Sequence, residues 1–377
     1  MKQGPKRKIL LYVPSLSGGG AERVSALLTN GFTAVGDEVI VAVDYLNTDH
    51  PHIFDKNVAI HVLGRAHGKS VIGLARLLRR EKPDVAHSVL CLANLKLTLA
   101  AALNGQLSRV VMSYHGFFSS EPQKLSRISY LLTPILTRIT GATISVSDAL
   151  QRHLLDEHHA APRKLTRIYN PVEIRLCPQA EKDNPPMVLA CGRLTEEKDF
   201  STLLRAFALI ESKDAQLTIL GEGSLRPALE AQIAQLGLAG RVHMPGYVTD
   251  PARYYGRASC LVISSLRETF SLVLVEALAH GLPVISTRCG GPEEILADSR
   301  TGMLVPCNDP TTLAAAIQKA LATPWDAGPG IARAGDFTTQ VAVAEYGRVF
   351  DQIIARQRSR PRGAPVTGGS AIPKSRS

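Results

Sequence analysis

The 377-residue chain has no uninterrupted apolar run near the ~18 residues that a membrane-spanning helix needs. Its six cysteines form no C-x-x-C pair and cluster near no histidines. That argues against zinc and against a disulfide framework, and for a reduced cytosolic setting. The opening Met1–Lys8 lacks the long apolar core and small-residue cleavage site of a signal peptide. No helix-turn-helix, finger or aromatic-basic RNA signature occurs, so no nucleic-acid partner is expected. Acids are missing from both ends. Residues 1–8 and 356–377 carry only basic charge and together account for the net +10, leaving a neutral body. What is present is ample apolar content, 45%, which rules out wholesale disorder, and a length that suits about two domains. The body is also polarised: residues 9–170 are net +5 and 171–355 net −5. A basic first half points to an anionic surface or acceptor on that side.

The first half alternates short β-branched runs with helical stretches. Ile9–Pro14, Glu38–Asp44, Ala59–Leu63, Val85–Val89, Arg109–Tyr114 and Ala142–Val146 read as strands, near-continuously apolar as in parallel sheets covered on both faces. Ala21–Thr33, Lys69–Arg80, Leu92–Leu103 and Lys124–Ile139 have helical spacing. The pattern pauses at Asn170-Pro-Val-Glu173 and the proline-rich stretch 179–186, then restarts with strands at Met187–Cys191, Gln216–Leu220, Arg241–Met244, Cys260–Ser264 and Pro283–Thr287. The helices of this half read as Phe200–Ile210, Ser224–Leu236, Pro251–Tyr255, Ser271–His280, Pro292–Ala297 and Pro310–Leu321. The expected fold is α/β: two Rossmann-like, doubly wound parallel-sheet domains, 1–172 and 173–340, facing across a cleft. A last helix, 341–355, is expected to pack back toward the first domain, and 356–377 reads as a disordered basic tail.

Ligands in such sheets sit at the carboxyl ends of strands. Ser17-Gly18-Gly19-Gly20-Ala21-Glu22-Arg23 follows the first strand and opens the first helix, where glycines admit close approach and free N–H groups suit an anion. It is not G-x-G-x-x-G, so the dinucleotide fingerprint is not met. Gly192-Arg193, with Lys198 five residues on, follows the first strand of the second half and could clamp a diphosphate. Gly221-Glu-Gly223 and Gly246-Tyr247 end the next two strands. The strongest signal is Glu268-Thr-Phe270-Ser271-Leu272, with Glu276 on the helix that follows. Amides at Phe270–Leu272 suit a phosphate, and a loop carboxylate and a helix carboxylate suit hydroxyls on either side. The pairing fits sugar, diphosphate and ribose. Glu276 stands on an otherwise apolar helix, where burial without a polar partner would cost several kcal/mol.

In this order, over roughly Lys8–Ile354, the chain resembles the retaining family 4 glycosyltransferases of the GT-B fold. The matching pieces are Gly18-Gly-Gly-Ala-Glu22, Lys82-Pro-Asp-Val85, His115-Gly116, Val146-Ser147-Asp148, Tyr169-Asn-Pro171, Gly192-Arg193, Lys198, Gly221-Glu-Gly223, Gly246-Tyr247 and the Glu268/Glu276 pair. The sequence departs at Asn170-Pro-Val-Glu173, where the family often has Asn-Gly-Val-Asp, so the hinge geometry is expected to differ. The resemblance implies that Arg193 and Lys198 bind the donor diphosphate and Glu268 the sugar hydroxyls, aided by the Phe270 and Ser271 amides. It implies that Glu276 holds the ribose, that the Gly18–Gly20 loop closes over phosphate and sugar, and that His115 lies near the reaction centre. Glu22 and Ser147 fall on the acceptor side. No Asp-x-Asp motif occurs, so no metal and no cofactor are expected. The partners implied are a nucleotide-diphosphate sugar, with a UDP-sugar favoured, and a lipid-linked or other glycan acceptor. The basic first half adds the anionic inner-membrane surface, for a protein peripheral on its cytoplasmic face. Within it, Lys69–Lys82 is a basic amphipathic candidate, with Val71, Leu74, Ala75 and Leu78 in one stripe. A GT-B nucleotide-sugar epimerase or a non-catalytic binding protein is the alternative.

Overall fold

Each buried strand presents apolar side chains to both faces, so both faces must be covered, and the chain does this with helices. The computed structural model describes residues 6–15, 19–46, 54, 58–120, 124–174 and 183–359. The first sheet comprises β1 (Lys8–Tyr12), β2 (Glu38–Val43), β3 (Ala59–Val62), β4 (Val85–Val89), β5 (Val110–Tyr114), β6 (Ala142–Ser145) and β7 (Leu165–Arg167), all parallel, in the order 3-2-1-4-5-6-7. The second comprises β8 (Met187–Cys191), β9 (Gln216–Leu220), β10 (Val242–Gly246), β11 (Cys260–Ile263), β12 (Val284–Thr287) and β13 (Met303–Val305), parallel, in the order 10-9-8-11-12-13. Each order reverses once, between β1 and β4 and between β8 and β11. Crevices for ligands open at those points, beyond the strands' carboxyl ends.

One face of the first sheet, with Ile9, Leu11 and Val41, packs on Val24, Leu28 and Phe32 of the helix Gly20–Ala34. It also packs on Tyr346, Phe350 and Ile353 of the final helix Thr339–Arg358, so the last segment of chain crosses back to the first domain. Phe32 and Phe350 meet with ring centroids 5.3 Å apart. The other face, with Leu10, Tyr12 and Ile40, packs on Leu74, Leu78 and Leu97 and is continuous with Leu189, Leu261, Phe270 and Leu274 of the second domain. The two crossings lie side by side: the Val172 amide donates to Phe337 O at 2.8 Å.

Among the described residues, two strands and two α-helices go beyond the sequence reading. The strands β7 and β13 have three residues each, too short to show a period. The helices Asp148–Asp156 and Gly328–Ala334 complete the set. The stretch read as one helix, Lys124–Ile139, is two: Lys124–Leu131 and Thr133–Ile139. Pro134 explains the break, because it has no N–H to give and its ring would meet the Tyr130 carbonyl. The helix His67–Glu81 buries Ser70, Leu74, Leu77 and Leu78, so its apolar stripe is core, and Lys69, Arg76, Arg79 and Arg80 remain exposed. Much of the 179–186 linker and the tail beyond Ser359 lie outside the described residues.

Candidate active site

The loops beyond β8 and β11 build one half of the site. From Cys191 the chain runs through Gly192 and Arg193 to the turn Glu196–Lys198, and Asp199 caps the next helix by accepting from the Thr202 amide at 3.1 Å. Lys198 Nζ donates to Glu268 Oε1, and the Ser265 hydroxyl donates to the same oxygen at 2.9 Å. The Glu268 backbone is fixed as well: its amide donates to Cys289 O, and its carbonyl accepts from the Gly291 amide, both at 2.8 Å. The sequence reading gave Lys198 and Glu268 separate duties; the fold makes them one ion pair. Arg193 is exposed and makes no side-chain hydrogen bond or ion pair among the described residues, so the two cations do not form a closed clamp.

The glycines beyond β9 have a structural cause. Gly221 sits at φ +141°, and a Cβ there would lie 1.9 Å from Gly192 O. A Cβ on Gly223 would lie 2.4 Å from Leu194 O. The loop after β9 thus lies directly on the Gly192–Leu194 backbone, tied by the Leu194 amide to Glu222 O at 2.9 Å. These glycines, assigned to the donor, position the loop that carries Arg193, and they need no ligand to explain them. Tyr247, beyond β10, is exposed and rims an open cavity of about 520 Å³ with Thr249, Asp250 and Arg253.

The helix Leu272–Ala279 begins after Ser271 with no side-chain cap, so its first amides are open to an anion. Phe270 beneath it is anchored by ring contacts to Tyr169 and Phe337. Glu276, one turn in, is buried at 4% exposure. Its carboxylate accepts from Tyr255 OH at 2.8 Å through Oε2, and its Oε1 forms an ion pair with Arg23 Nη1 2.6 Å away. Desolvation pushes its carboxyl above the usual range, against the pull of Arg23 and Tyr255.

Arg23 belongs to the other domain, and several contacts cross with it. A Cβ on Gly20 would lie 3.6 Å from Leu272 Cδ1, so the start of the first helix faces the start of Leu272–Ala279. Thr269 Oγ1 donates to His115 O at 2.8 Å. The Glu294 carboxylate accepts from the Asp148 and Ala149 amides at 2.8 and 2.7 Å. Arg267 Nη1 donates to the Ser119 hydroxyl at 2.5 Å. Gly18 lies outside the described residues.

His115 ends β5, half-buried. Its Nε2 is 3.0 Å from Ser113 Oγ, which also lies 3.2 Å from His87 Nε2 and donates to Ser88 O. With the hydroxyl proton on Ser88 O, both imidazoles donate from Nε2 and their Nδ1 atoms remain acceptors. Neither Nδ1 has a protein partner. Burial lowers the His115 pKa to about 4 and that of His87 to about 3, so both rings are neutral at pH 7. His115 Nδ1 is therefore a buried neutral acceptor without a hydrogen-bond partner among the described residues.

Two assigned residues are used elsewhere. Glu22 accepts from the Gly19 amide at 2.8 Å and from the Ser15 hydroxyl at 2.7 Å, so its carboxylate is engaged at the start of the first helix. Ser147 is fully buried and caps Asp148–Asp156, accepting from the Leu150 amide at 3.1 Å. Arg23, Tyr255, Ser265 and Glu294 were missed by the sequence reading. Only Arg23 carried a signal, as the cation three residues beyond Gly20 of the glycine-rich turn. Among the described residues one cluster has metal-ligand chemistry, His153, Glu157 and His158. Both nitrogens of His153 are already engaged, Nδ1 by Glu157 at 3.0 Å and Nε2 by the Phe118 amide at 3.3 Å, and none of the three is an assigned site residue.

The model of Glycosyltransferase Family 4 matches residues 18–176, and that of Glycosyl transferases group 1 matches residues 185–323. The chain is similar to the lipopolysaccharide core biosynthesis glycosyltransferase LpsE of Rhizobium meliloti, 28% identical over 253 residues, 65% of this chain and 68% of that one. A Campylobacter jejuni protein is 25% identical over 336 residues, 83% of this chain and 89% of its own. Its name describes an N-acetylgalactosaminyltransferase acting on an undecaprenol-diphosphate glycan. The chain spans about half the length of several other curated relatives. Among solved structures, Anabaena HepE in complex with UDP-glucose superposes with a TM-score of 0.71 at 19% identity, over 94% of this chain and all of that one. At that identity the likeness is one of fold, and the fold is GT-B.

Proposed function

The chain belongs to the group 1, family 4 glycosyltransferases, and on that premise we propose that it moves a sugar from a nucleotide-sugar to a glycan acceptor with retention of configuration. The observation that carries this reading is the joined Lys198–Glu268 pair and the buried Glu276, beyond the carboxyl ends of β8 and β11, with the start of the Glu276 helix at Leu272 facing Gly20. Breaking the anomeric C–O bond leaves negative charge on the diphosphate and positive character on the sugar. Lys198, Arg193 and the amides at the start of Leu272–Ala279 stabilise the former; Glu268 orients sugar hydroxyls; Glu276 takes the ribose. His115 Nδ1 accepts from a sugar hydroxyl. In this mechanism the donor phosphate takes the acceptor proton and cationic side chains stand where other transferases use a metal.

The donor we favour is a UDP-sugar, in keeping with the UDP-glucose complex of the HepE structure. The acceptor we favour is a lipid-linked glycan of cell-surface polysaccharide or lipopolysaccharide, in keeping with the printed names of the relatives. Such an acceptor calls for a chain that rests on the cytoplasmic face of a bacterial inner membrane. Among the described residues no helix is long and apolar enough to cross one. A thermal-shift screen of UDP-, GDP-, ADP- and dTDP-sugars, followed by transfer assays with undecaprenol-diphosphate glycans, tests the reading. A rise in melting temperature with one donor class and transfer from it are expected. Binding without any transfer would favour the non-catalytic alternative, and no binding at all would overturn the donor site.

A further inference from the structure

The two helices Lys124–Leu131 and Thr133–Ile139 leave most of their large aliphatic side chains outside. Their buried faces carry Ser126, Ser129, Thr133 and Thr137 beside Tyr130 and Leu136, while Leu125, Ile128, Leu131, Ile135 and Ile139 are exposed, Leu131 by 66%. The exposed residues from Ile128 follow one another at spacings of three and four, which places them along one stripe. Leu99 and Leu103, on the neighbouring Cys91–Ala102 helix and at its end, are exposed too. The hydroxyls inside are bonded, Ser129 Oγ to Cys91 O at 2.6 Å and Thr133 Oγ1 with Tyr114 OH at 3.1 Å, so the orientation is fixed. A contiguous apolar face of this kind marks a surface that is covered in use.

The charge around it selects the occupant. Between Asp84 and Asp148 the chain has a single acid, Glu121, against Lys96, Arg109, Lys124, Arg127 and Arg138. Lys124, Arg127 and Arg138 are exposed beside the stripe. We propose that this stripe is the face that docks on an anionic bilayer, the leucines and isoleucines entering the headgroup boundary and the basic side chains pairing with lipid phosphates. The assignment rests on the membrane part of the proposed function and moves the docking surface away from His67–Glu81, whose apolar side is core. It has a catalytic consequence. Tyr130 OH donates to Gly116 O, so the docking helix is tied to the residue after His115. A lipid-anchored acceptor held here would present its glycan beside the cleft.

Flotation of the full chain with phosphatidylglycerol–phosphatidylethanolamine vesicles tests this. The wild type should float at low salt and partly release at high salt. I128Q/L131Q/I135Q should bind about tenfold less or worse, with an unchanged circular dichroism spectrum. R76E/R79E/R80E on His67–Glu81 should bind far better than the triple glutamine variant. Wild-type flotation of the glutamine variant would overturn the assigned face and leave the membrane reading standing. Absence of wild-type flotation would overturn the membrane reading. A wild-type dimer that the glutamine variant cannot form, with no flotation, would give the stripe to a second copy and overturn the bilayer assignment.

A second inference comes from the opposite side of the cleft and stands independently of the first. Arg23 holds Glu276 Oε1 from the first domain, and Tyr255 holds Oε2 from the second. An ionised carboxylate has about four lone-pair sites, so both oxygens keep acceptor capacity, the buried Oε1 having no hydrogen-bond partner among the described residues. Those two remaining acceptors match a vicinal diol. We infer that Arg23 is a positioning residue that completes the ribose site across the cleft, keeping Glu276 ionised and oriented for the 2′ and 3′ hydroxyls. This deepens the donor reading, which assigns Glu276 to ribose. The charged and titratable groups facing Glu276 are Arg23 on the first helix, Tyr255 on Ala252–Arg257, Cys191 at the end of β8 and His280 at the end of its own helix. Of these only Arg23 is a permanent cation.

The test pairs protein and ligand deletions: UDP, GDP and ADP against their 2′,3′-dideoxy forms, by calorimetry, on wild type, Arg23→Met and Arg23→Lys. The wild type should prefer the ribose form by roughly tenfold or more, as for hydrogen bonds to a charged acceptor. Arg23→Met should lose most of that preference while binding the dideoxy form as the wild type does, and Arg23→Lys should keep most of it. In Arg23→Met the preference should also fade at a higher pH on acidification, because burial then acts on Glu276 unopposed by a cation. An undiminished preference in Arg23→Met overturns the role of Arg23 and spares the ribose assignment. No preference in the wild type overturns the ribose assignment itself.

Discussion

The two halves of the cleft are built to different standards. In the second domain the site is braced from within: Lys198, Ser265 and Glu268 bond one another, Tyr255 holds Glu276, and the Gly221–Gly223 loop lies on the loop of Arg193. In the first domain Glu22 is engaged too, but the buried His115 Nδ1, like Glu276 Oε1 across the cleft, has no hydrogen-bond partner among the described residues. Its outer surface is unfinished as well. All but four of the exposed large apolar side chains described lie there, the exceptions being Leu209, Tyr247, Ile331 and Val341. A donor of constant chemistry rewards a rigid, preorganised pocket. An acceptor delivered on another surface calls for a half left open to receive it.

The sharpest way to break this comparison is to cut the braced pair. Lys198→Ala or Glu268→Ala should lower turnover by ~10²–10³ with the fold retained, as for removal of one preorganised electrostatic group. A loss of tenfold or less, with normal circular dichroism, would mean that the brace is structural only. Next in size is the backbone. Gly221→Ala must push a Cβ into Gly192 O, and it should cost about 3 kcal/mol or more in urea unfolding. Gly36→Ala in the first domain, at φ +92° with nothing within 4 Å, should cost only about 1 kcal/mol. Equal losses would remove the asymmetry.

The third measurement is stability against pH. His87 titrates at about 3 in the folded chain, because burial first and His115 second disfavour its charge, against an unfolded value of about 6.5. The unfolded chain therefore binds more protons between those values, and stability falls as pH drops through that window. From pH 7 to 5 the contribution of His87 is about 2 kcal/mol, and His87→Phe should flatten the slope of unfolding free energy against pH. An unchanged slope would place the loss elsewhere. The smallest effect belongs to Ser147→Ala, which removes a helix cap for about 1 kcal/mol and should leave transfer intact. A large loss of activity at normal stability would return Ser147 to the acceptor site.

What the sequence determined by itself is the layout. Runs such as Ile9–Val13 and Met187–Cys191 are apolar on both faces, and only a sheet covered on both sides accommodates that, so two doubly wound sheets were legible. Because ligand sites in such sheets fall beyond strand ends, the neighbourhoods of Gly19, Arg193, Glu268 and Glu276 were legible too. Three-residue strands such as β7 and β13 were not, since two alternations cannot be told from chance. Tertiary structure decided the partnerships. Lys198 and Glu268 are 70 residues apart and Arg23 and Glu276 lie in different domains, and no local pattern encodes contacts between segments so far apart in the chain. Tertiary structure also decided which way the Lys124–Ile139 stretch faces. Its period marks one polar and one apolar side. Only packing against Cys91 and Tyr114, where bonded hydroxyls lie beside Tyr130 and Leu136, shows which apolar side chains stay outside.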